Sequence, residues 1–278
     1  MRDVSFGQYY PVGSPVHRLD PRTKLLASII YIVTLFFINT FTGFGIMALF
    51  LIFTVILSRV PFGKVLKSVK AVIFLLIFTL VISFLFYTGE PDKLIWEWGI
   101  FHLYWDGLIN SGKLCVRLLL LVMGPAMLTL TTTPVELTDG LESLLKPLAL
   151  IKLPVHELAI IMSIALRLIP TLMEETDKII NAQKARCAEF ESGNIFKRAK
   201  AMLPILIPLF VSSFRRADDL ADAMDSRCYR GAKGRTRMRV LKLRVGDILT
   251  LLFMALLLTA MLFLRYNWLG WHFITVLW

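Results

Sequence analysis

Residues 24–59 read KLLASIIYIVTLFFINTFTGFGIMALFLIFTVILSR. No charged residue stands between Lys24 and Arg59. A helix rises about 1.5 Å per residue, so roughly 20 apolar residues cross a ~30 Å hydrocarbon core. The stretch therefore supplies two crossings, 25–41 and 42–58. The polar or small residues between them are Asn39, Thr40, Thr42, Gly43 and Gly45, which predicts a tight helical hairpin. Three more apolar runs follow at 71–87, 108–130 and 248–264. The first and last of these carry no charge, and 108–130 carries Lys113 and Arg117. Residues 265–278 add Tyr266, Trp268, Trp271 and Trp278, an aromatic cluster suited to a membrane interface.

The whole-chain numbers agree. Of 278 residues, 56% are hydrophobic and 18% charged, and mean hydropathy is +0.68. Such a composition excludes a disordered chain, a collagen-like chain and a small disulfide scaffold. The expected fold is all-α and polytopic, with about five transmembrane helices and one long insert. The expected organisation is 1–130 (N-terminal segment and four spans), 131–245 (cytoplasmic insert) and 246–278 (last span and aromatic C-terminal segment). The first 20 residues are polar and hold Pro11, Gly13 and Pro15, so no cleavable signal is expected there and the first run should be retained.

Net charge is +11. In a membrane protein this is first a topology signal. With the N-terminus inside, segments 1–24, 59–70 and 131–245 hold 27 of the 31 Lys and Arg residues. The 88–107 loop instead carries Glu90, Asp92, Glu97 and Asp106 with Trp96, Trp98 and Trp105, which suits an outer surface. Lys113 and Arg117 share a helix face; they either line a polar pathway or snorkel toward a partner. The eight Lys and Arg residues in 227–244 run directly into a span. They fit an anchor on anionic lipid better than a nucleic-acid surface. Cys115, Cys187 and Cys228 form no CxxC, and the four histidines are scattered, which argues against a disulfide framework or a zinc site.

The insert is the informative part. Thr133, Pro134 and Glu136 make a helix start with a capping box, and Pro147 ends that helix. A second helix begins near Pro154, kinks at Pro170 and continues as a charged helix over 171–190. Ser192-Gly193-Asn194 breaks it. A third long helix follows Pro208. Its stripe of Phe210, Phe214, Ala217, Ala221, Met224 and Cys228 forms one face, which most simply covers the 171–190 helix. Ala182-Gln183-Lys184-Ala185-Arg186-Cys187 and Ala223-Met224-Asp225-Ser226-Arg227-Cys228 share Ala-x-x-x-Arg-Cys, 41 residues apart. Each sets one Arg between small residues near a helix C-terminus. Such an Arg can fork onto a partner's carboxylates or carbonyls, or it can complement the helix dipole.

Wider stretches resemble a known family. Pro154-Val-His-Glu-Leu-Ala, Ile164-Ala-Leu-Arg-Leu-Ile-Pro-Thr171, Glu174-Glu175 and Ala185-Arg186-Cys187 are similar to the T component of energy-coupling factor (ECF) transporters. So are Phe214-Arg-Arg-Ala-Asp-Asp-Leu220, Ser226-Arg-Cys-Tyr-Arg-Gly231 and the N-terminal Ser14-Pro-Val-His-Arg-Leu-Asp-Pro-Arg-Thr-Lys-Leu25. The resemblance covers essentially the whole chain. It implies a non-enzymatic scaffold that joins a small membrane S component to two cytoplasmic ABC-type ATPases for uptake of vitamins or other micronutrients. It further implies coupling helices crossing in an X, each ending in a small-Arg-small triplet docked on one ATPase. Here the triplets are Ala185-Arg186-Cys187 and Ser226-Arg227-Cys228, with cysteine where the family usually has glycine. The stripe Phe210, Phe214, Ala217, Ala221 and Met224 then packs on the S component or on the other coupling helix. No Walker motif, GxSxG or HExxH occurs, so the chain is expected to need no cofactor of its own, with ATP bound by its partners. The bilayer of the cell membrane is its expected setting, with the N-terminus cytoplasmic and no nucleic acid as partner. The alternative is a self-sufficient permease or channel, which would place facing polar residues in several spans. An intramembrane enzyme would need acid, histidine or Ser/Lys pairs within spans, and Ser111 with Lys113 lies on different helix faces.

Overall fold

A computed structural model of the chain describes residues 9–70, 72–85, 94–98, 101–147, 154–188, 195–231 and 243–266. In chain order these hold α1 (Pro21–Phe37), α2 (Phe41–Ser58), α3 (Phe62–Lys70), α4 (Ile73–Leu85), β1 (Leu94–Trp98), β2 (Phe101–Tyr104), α5 (Trp105–Thr131), α6 (Pro134–Leu145), α7 (Val155–Ala185), α8 (Ile195–Ser226) and α9 (Val245–Tyr266). They group into two compact units, one within 142–240 and one comprising 9–141 with 243–266.

In the second of these, α5 is the hub: α1, α2, α3 and α4 all pack on it, and α9 packs on α1. The buried core joins Tyr31, Leu35, Met47, Leu51, Leu120, Met123, Met127 and Met254. Unbranched methionines fill the irregular space between helices that lack a simple repeat. Gly124 permits the closest approach, since a Cβ there would lie 2.2 Å from the Tyr31 ring. The Tyr31 hydroxyl donates to the Leu120 carbonyl at 3.1 Å.

The helical hairpin of the first two runs is present. α1 stops at Phe37, and the Thr40 hydroxyl accepts the Gly43 N–H at 3.3 Å as the cap of α2. Arg59 closes α2 in the left-handed region at φ 55°. Two features went unread in the sequence. The 59–70 segment contains an amphipathic helix, α3, bent 59° from the helix that follows. Its Val65 and Val69 are buried, while Phe62 and Leu66 stay exposed. The acidic loop contains an antiparallel hairpin, with Trp98 opposite Phe101 and Leu94 opposite Tyr104. Its aromatic and β-branched run around Gly99 was the available signal.

Among the described residues four helices, Phe41–Ser58, Trp105–Thr131, Val155–Ala185 and Val245–Arg265, are long and apolar enough to cross a membrane. The bent pair Phe62–Lys70 with Ile73–Ser83 makes a fifth if it counts as one span. The chain is a multi-pass, helical membrane protein. α7 qualifies on length and hydropathy although its sequence position put it in the insert. No residue of its most apolar window is buried within the chain, so that surface is left for lipid or another subunit.

The N-terminal segment is tied down by polar contacts. Asp20 caps α1 by accepting the Arg22 N–H at 3.0 Å. Its own N–H donates to Asp247 Oδ1 at 2.8 Å, and Asp247 Oδ2 accepts the Arg244 N–H at 2.7 Å. Asp247 is fully buried, so each oxygen must be satisfied. Lys24 Nζ donates to the carbonyls of Thr131 at 2.9 Å and His17 at 3.2 Å. His17 lies between the Ser14 hydroxyl (2.7 Å) and the Tyr10 carbonyl (3.0 Å). A carbonyl can only accept, so Nε2 carries the proton and Nδ1 accepts from Ser14. Burial holds the His17 pKa below its ordinary value, in keeping with this neutral tautomer. The Ser14–Lys24 motif thus fastens the starts of α1 and α9 and the end of α5.

Asp247→Ala should strand two backbone N–H donors, at about 1–3 kcal/mol for each one left unsatisfied. A thermal unfolding scan of the detergent-solubilised chain should show a clear drop in midpoint. Asp247→Asn should be no better, because its amide would face a donor.

Candidate functional site

The candidate site lies in the 142–240 unit. α6 begins as read: the Glu136 N–H donates to the Thr133 hydroxyl at 3.3 Å and the Thr133 N–H donates to Glu136 Oε2 at 3.4 Å. His156, in the first turn of α7, sits 2.9 Å from Glu142 Oε1. α7 and α8 are longer than expected. α7 runs 31 residues through Pro170, and α8 runs 32 residues through Pro204 and Pro208. At about 1.5 Å per residue each reaches roughly 45 Å. A helix-interior proline removes one hydrogen bond, and the long flanking turns carry the helix across it. The expected stop at Ser192-Gly193-Asn194 lies outside the described residues; α7 already ends at Ala185.

Both repeated hexapeptides fold into the same helix terminus. At the end of α7, Cys187 N–H donates to Lys184 O at 3.0 Å and Ala188 N–H to Gln183 O at 3.1 Å. At the end of α8, Cys228 N–H donates to Asp225 O at 2.9 Å and Tyr229 N–H to Met224 O at 3.1 Å. This pair of bonds is the Schellman C-cap. Its left-handed residue is Cys187 (φ 60°) in one copy and Cys228 (φ 56°) in the other. That position favours glycine because a Cβ crowds the carbonyl. Arg186 and Arg227 therefore occupy the last half-helical position, and both are exposed. Their flanks Ala185, Cys187, Ser226 and Cys228 are exposed as well. Neither guanidinium has a hydrogen-bond or ion-pair partner among the described residues. Two forked donors are thus presented on small, open surroundings.

α7 packs on α8 through a polar latch. Glu175 accepts from the Ser212 hydroxyl and, at 2.9 Å, from Arg216 Nη2. Glu175 and Arg216 are 41 residues apart, the same offset as Arg186 and Arg227. The latch joins equivalent positions of the repeat, and each tip arginine stands 11 residues, about 16 Å, beyond it. Sequence reasoning missed the latch; the repeat offset, extended back from the cysteines, was the signal that could have found it.

The packing face of α8 differs from the one expected. Ile205 is buried, and Leu209, Ser212, Arg216 and Leu220 are half-buried. Phe210 and Phe214 are 61% and 65% exposed, Ala217 and Ala221 are exposed, and only Met224 is half-buried. The stripe is therefore not the α7-facing side of α8; it is rotated away by one residue. Leu158, Ile161 and Met162 of α7 are likewise exposed. Within the membrane unit, Arg117 donates to the Ile38 carbonyl (2.6 Å) and to Asn39 Oδ1 (2.7 Å), and Lys113 lies 5.2 Å from the Phe41 ring centroid. Both side chains reach the α1–α2 turn.

Replacing Cys187 or Cys228 by glycine should relieve the left-handed conformation. The expected gain is about 0.5–1 kcal/mol per site after the extra chain entropy of glycine. Thermal unfolding of the purified chain checks this: the glycine variants should melt higher than the wild type, and Cys→Ala variants should not.

The chain matches the family model described as CbiQ, cobalt transport protein, over residues 13–238. It is 48% identical to the energy-coupling factor transporter transmembrane protein EcfT of Clostridium kluyveri, across 97% of this chain and 99% of that relative. The EcfT proteins of Acidaminococcus fermentans (48% identical, 96% of this chain and 98% of the relative) and Bacillus subtilis (44%, 95% and 99%) are also similar along nearly their full lengths. With its multi-pass helical fold and its paired helix termini, the chain belongs to this family, the transmembrane components of energy-coupling factor transporters.

Proposed function

We propose that this chain transmits force from two partner ATPases to a substrate-binding membrane subunit for uptake of a vitamin or another micronutrient. The observation that carries the reading is the pair of matching C-caps, each presenting one exposed arginine that has no partner among the described residues. The sequence holds no nucleotide-binding motif of its own, so ATP is bound and hydrolysed by the partners. Arg186 and Arg227, flanked by Ala185, Cys187, Ser226 and Cys228, each enter a groove on one ATPase and fork onto carboxylates or carbonyls there. The exposed apolar faces of α7 and α8, with Phe210, Phe214, Ala217 and Ala221 on the latter and half-buried Met224 at its end, take the S component. Closure of the ATPases around nucleotide moves the two tips relative to each other, and the joined helices pass that motion to the S component, which releases its cargo inward. The N-terminus faces the cytoplasm across the cell membrane in this reading, which the lysine- and arginine-rich segments support.

Co-expression of the Arg186→Ala/Arg227→Ala chain with its ATPases and S component tests this. Loss of a buried, paired arginine costs roughly 2–5 kcal/mol. Pull-down of the ATPases and substrate uptake should both collapse in the double variant. Intact pull-down and uptake would refute the docking assignment. The S component should still co-purify with the variant, because its apolar seat is untouched.

A further inference from the structure

A laterally open groove of about 590 Å³ runs between α2 and α9, floored by α1 and α5. α1 packs on α5 and on α9, and α2 packs on α5, whereas α2 meets α9 through the rings of Phe50 and Phe253. The groove is the gap they leave. Its rims are apolar and exposed: Phe53 and Leu57 on one side, Leu249 and Leu252 on the other. One end is closed by Phe50 and Phe253, whose rings stack at 5.9 Å. The other end lies where α2 finishes and where α1 and α9 start.

Its depth matches half a bilayer. Phe253 lies eight residues into α9 and Phe50 eight residues before the end of α2, about 12 Å along each helix. One leaflet of a ~30 Å hydrocarbon core is about 15 Å thick. The volume is within the range of small-molecule sites. In an aqueous protein, a slot with these walls would be collapsed or covered; here it faces acyl chains.

The open end is basic. Lys24 lines it, with two of its three ammonium N–H bonds committed to the His17 and Thr131 carbonyls. Arg18 sits between Val16 and Leu19, both lining residues, and Arg244 immediately precedes α9. Both arginines are exposed. Asp20 and Asp247 lie close by, but their oxygens accept backbone N–H groups.

We propose that this groove holds one acyl chain of a phospholipid drawn from the leaflet at its basic end, with a net-anionic headgroup resting on Arg18, Arg244 and Lys24. The lipid fills a gap that the helices do not close and becomes part of the wall between α2 and α9.

The test is photolabelling of the full-length chain in nanodiscs, with phosphatidylglycerol or phosphatidylcholine carrying a diazirine in one chain. Labelled peptides should come from the groove rims on α2 and α9, with phosphatidylglycerol labelling more strongly. Thr54→Trp, which blocks the groove, should abolish rim labelling. Ile52→Trp, on the exposed face of α2 turned away from the groove, should leave it unchanged. Arg18→Gln and Arg244→Gln should each lower phosphatidylglycerol labelling about fivefold, the effect of one basic residue near an anionic surface, without changing phosphatidylcholine labelling. Labels spread evenly over α2, α4 and α9, or rim labelling that survives Thr54→Trp, would overturn the acyl-chain site. Equal labelling by the two lipids would overturn the headgroup assignment. If Thr54→Trp does not fold, the wild-type label distribution decides: rims of α2 and α9 labelled above α4 support the site, and even labelling overturns it.

Discussion

The contact between Glu175 and Arg216 is the constraint on which the coupling unit depends. A carboxylate on α7 accepts from a guanidinium and a hydroxyl on α8, and all three groups are at least half-withdrawn from water. In that setting, the contact fixes register as well as proximity: sliding either helix by one residue would leave a charge facing apolar side chains, at a cost well above that of an exposed pair. Because the two charges occupy equivalent positions of a 41-residue repeat, the latch makes two arms of equal length. Each arm ends in the same hydrogen-bonded cap and the same exposed arginine. Symmetry at the tips thus follows from a single asymmetric ion pair.

The caps add a second constraint. A Schellman terminus rigidly sets the direction of the residue before its left-handed position. Arg186 and Arg227 therefore leave the helix ends in the same way, although one is preceded by Ala185 and the other by Ser226. Cysteine in the left-handed position costs stability that glycine would not, and the small side chain keeps the surroundings of the arginine open. The membrane unit solves a different problem with similar means. There Asp247 and Lys24 spend their charge on backbone groups at helix ends, which lets a polar N-terminal segment sit against the beginnings of two helices.

Much of this was legible in the chain itself. Uncharged runs announce their own helices, because few other conformations satisfy the backbone in hydrocarbon, and the α1–α2 hairpin and the capping box at Thr133 followed from local chemistry. The tips were legible as a repeat, although the left-handed cysteines were not, since cysteine carries no turn preference of its own. One proline misled: Pro208 read as a helix start, yet α8 begins at Ile195 and runs through it. The stripe from Phe210 to Met224 was correctly apolar, but periodicity does not say which of two neighbouring faces meets a partner within the chain and which waits for one outside it. The polar face with Ser212 and Arg216 won the intramolecular contact because Glu175 supplied its complement. Asp247 showed no pattern at all, since it caps Asp20, 227 residues away in sequence.

The native thiols offer the most direct check on the central claim. Cys187 and Cys228 adjoin the tip arginines and are exposed, whereas Cys115 lies half-buried in α5. Alkylation rates of the three, followed by peptide mass spectrometry, should be compared for the isolated chain and for the assembled transporter. Docked tips predict fast modification of Cys187 and Cys228 alone and strong protection of both in the complex, with Cys115 little changed. Equal rates at the two tips with and without the ATPases would contradict the account.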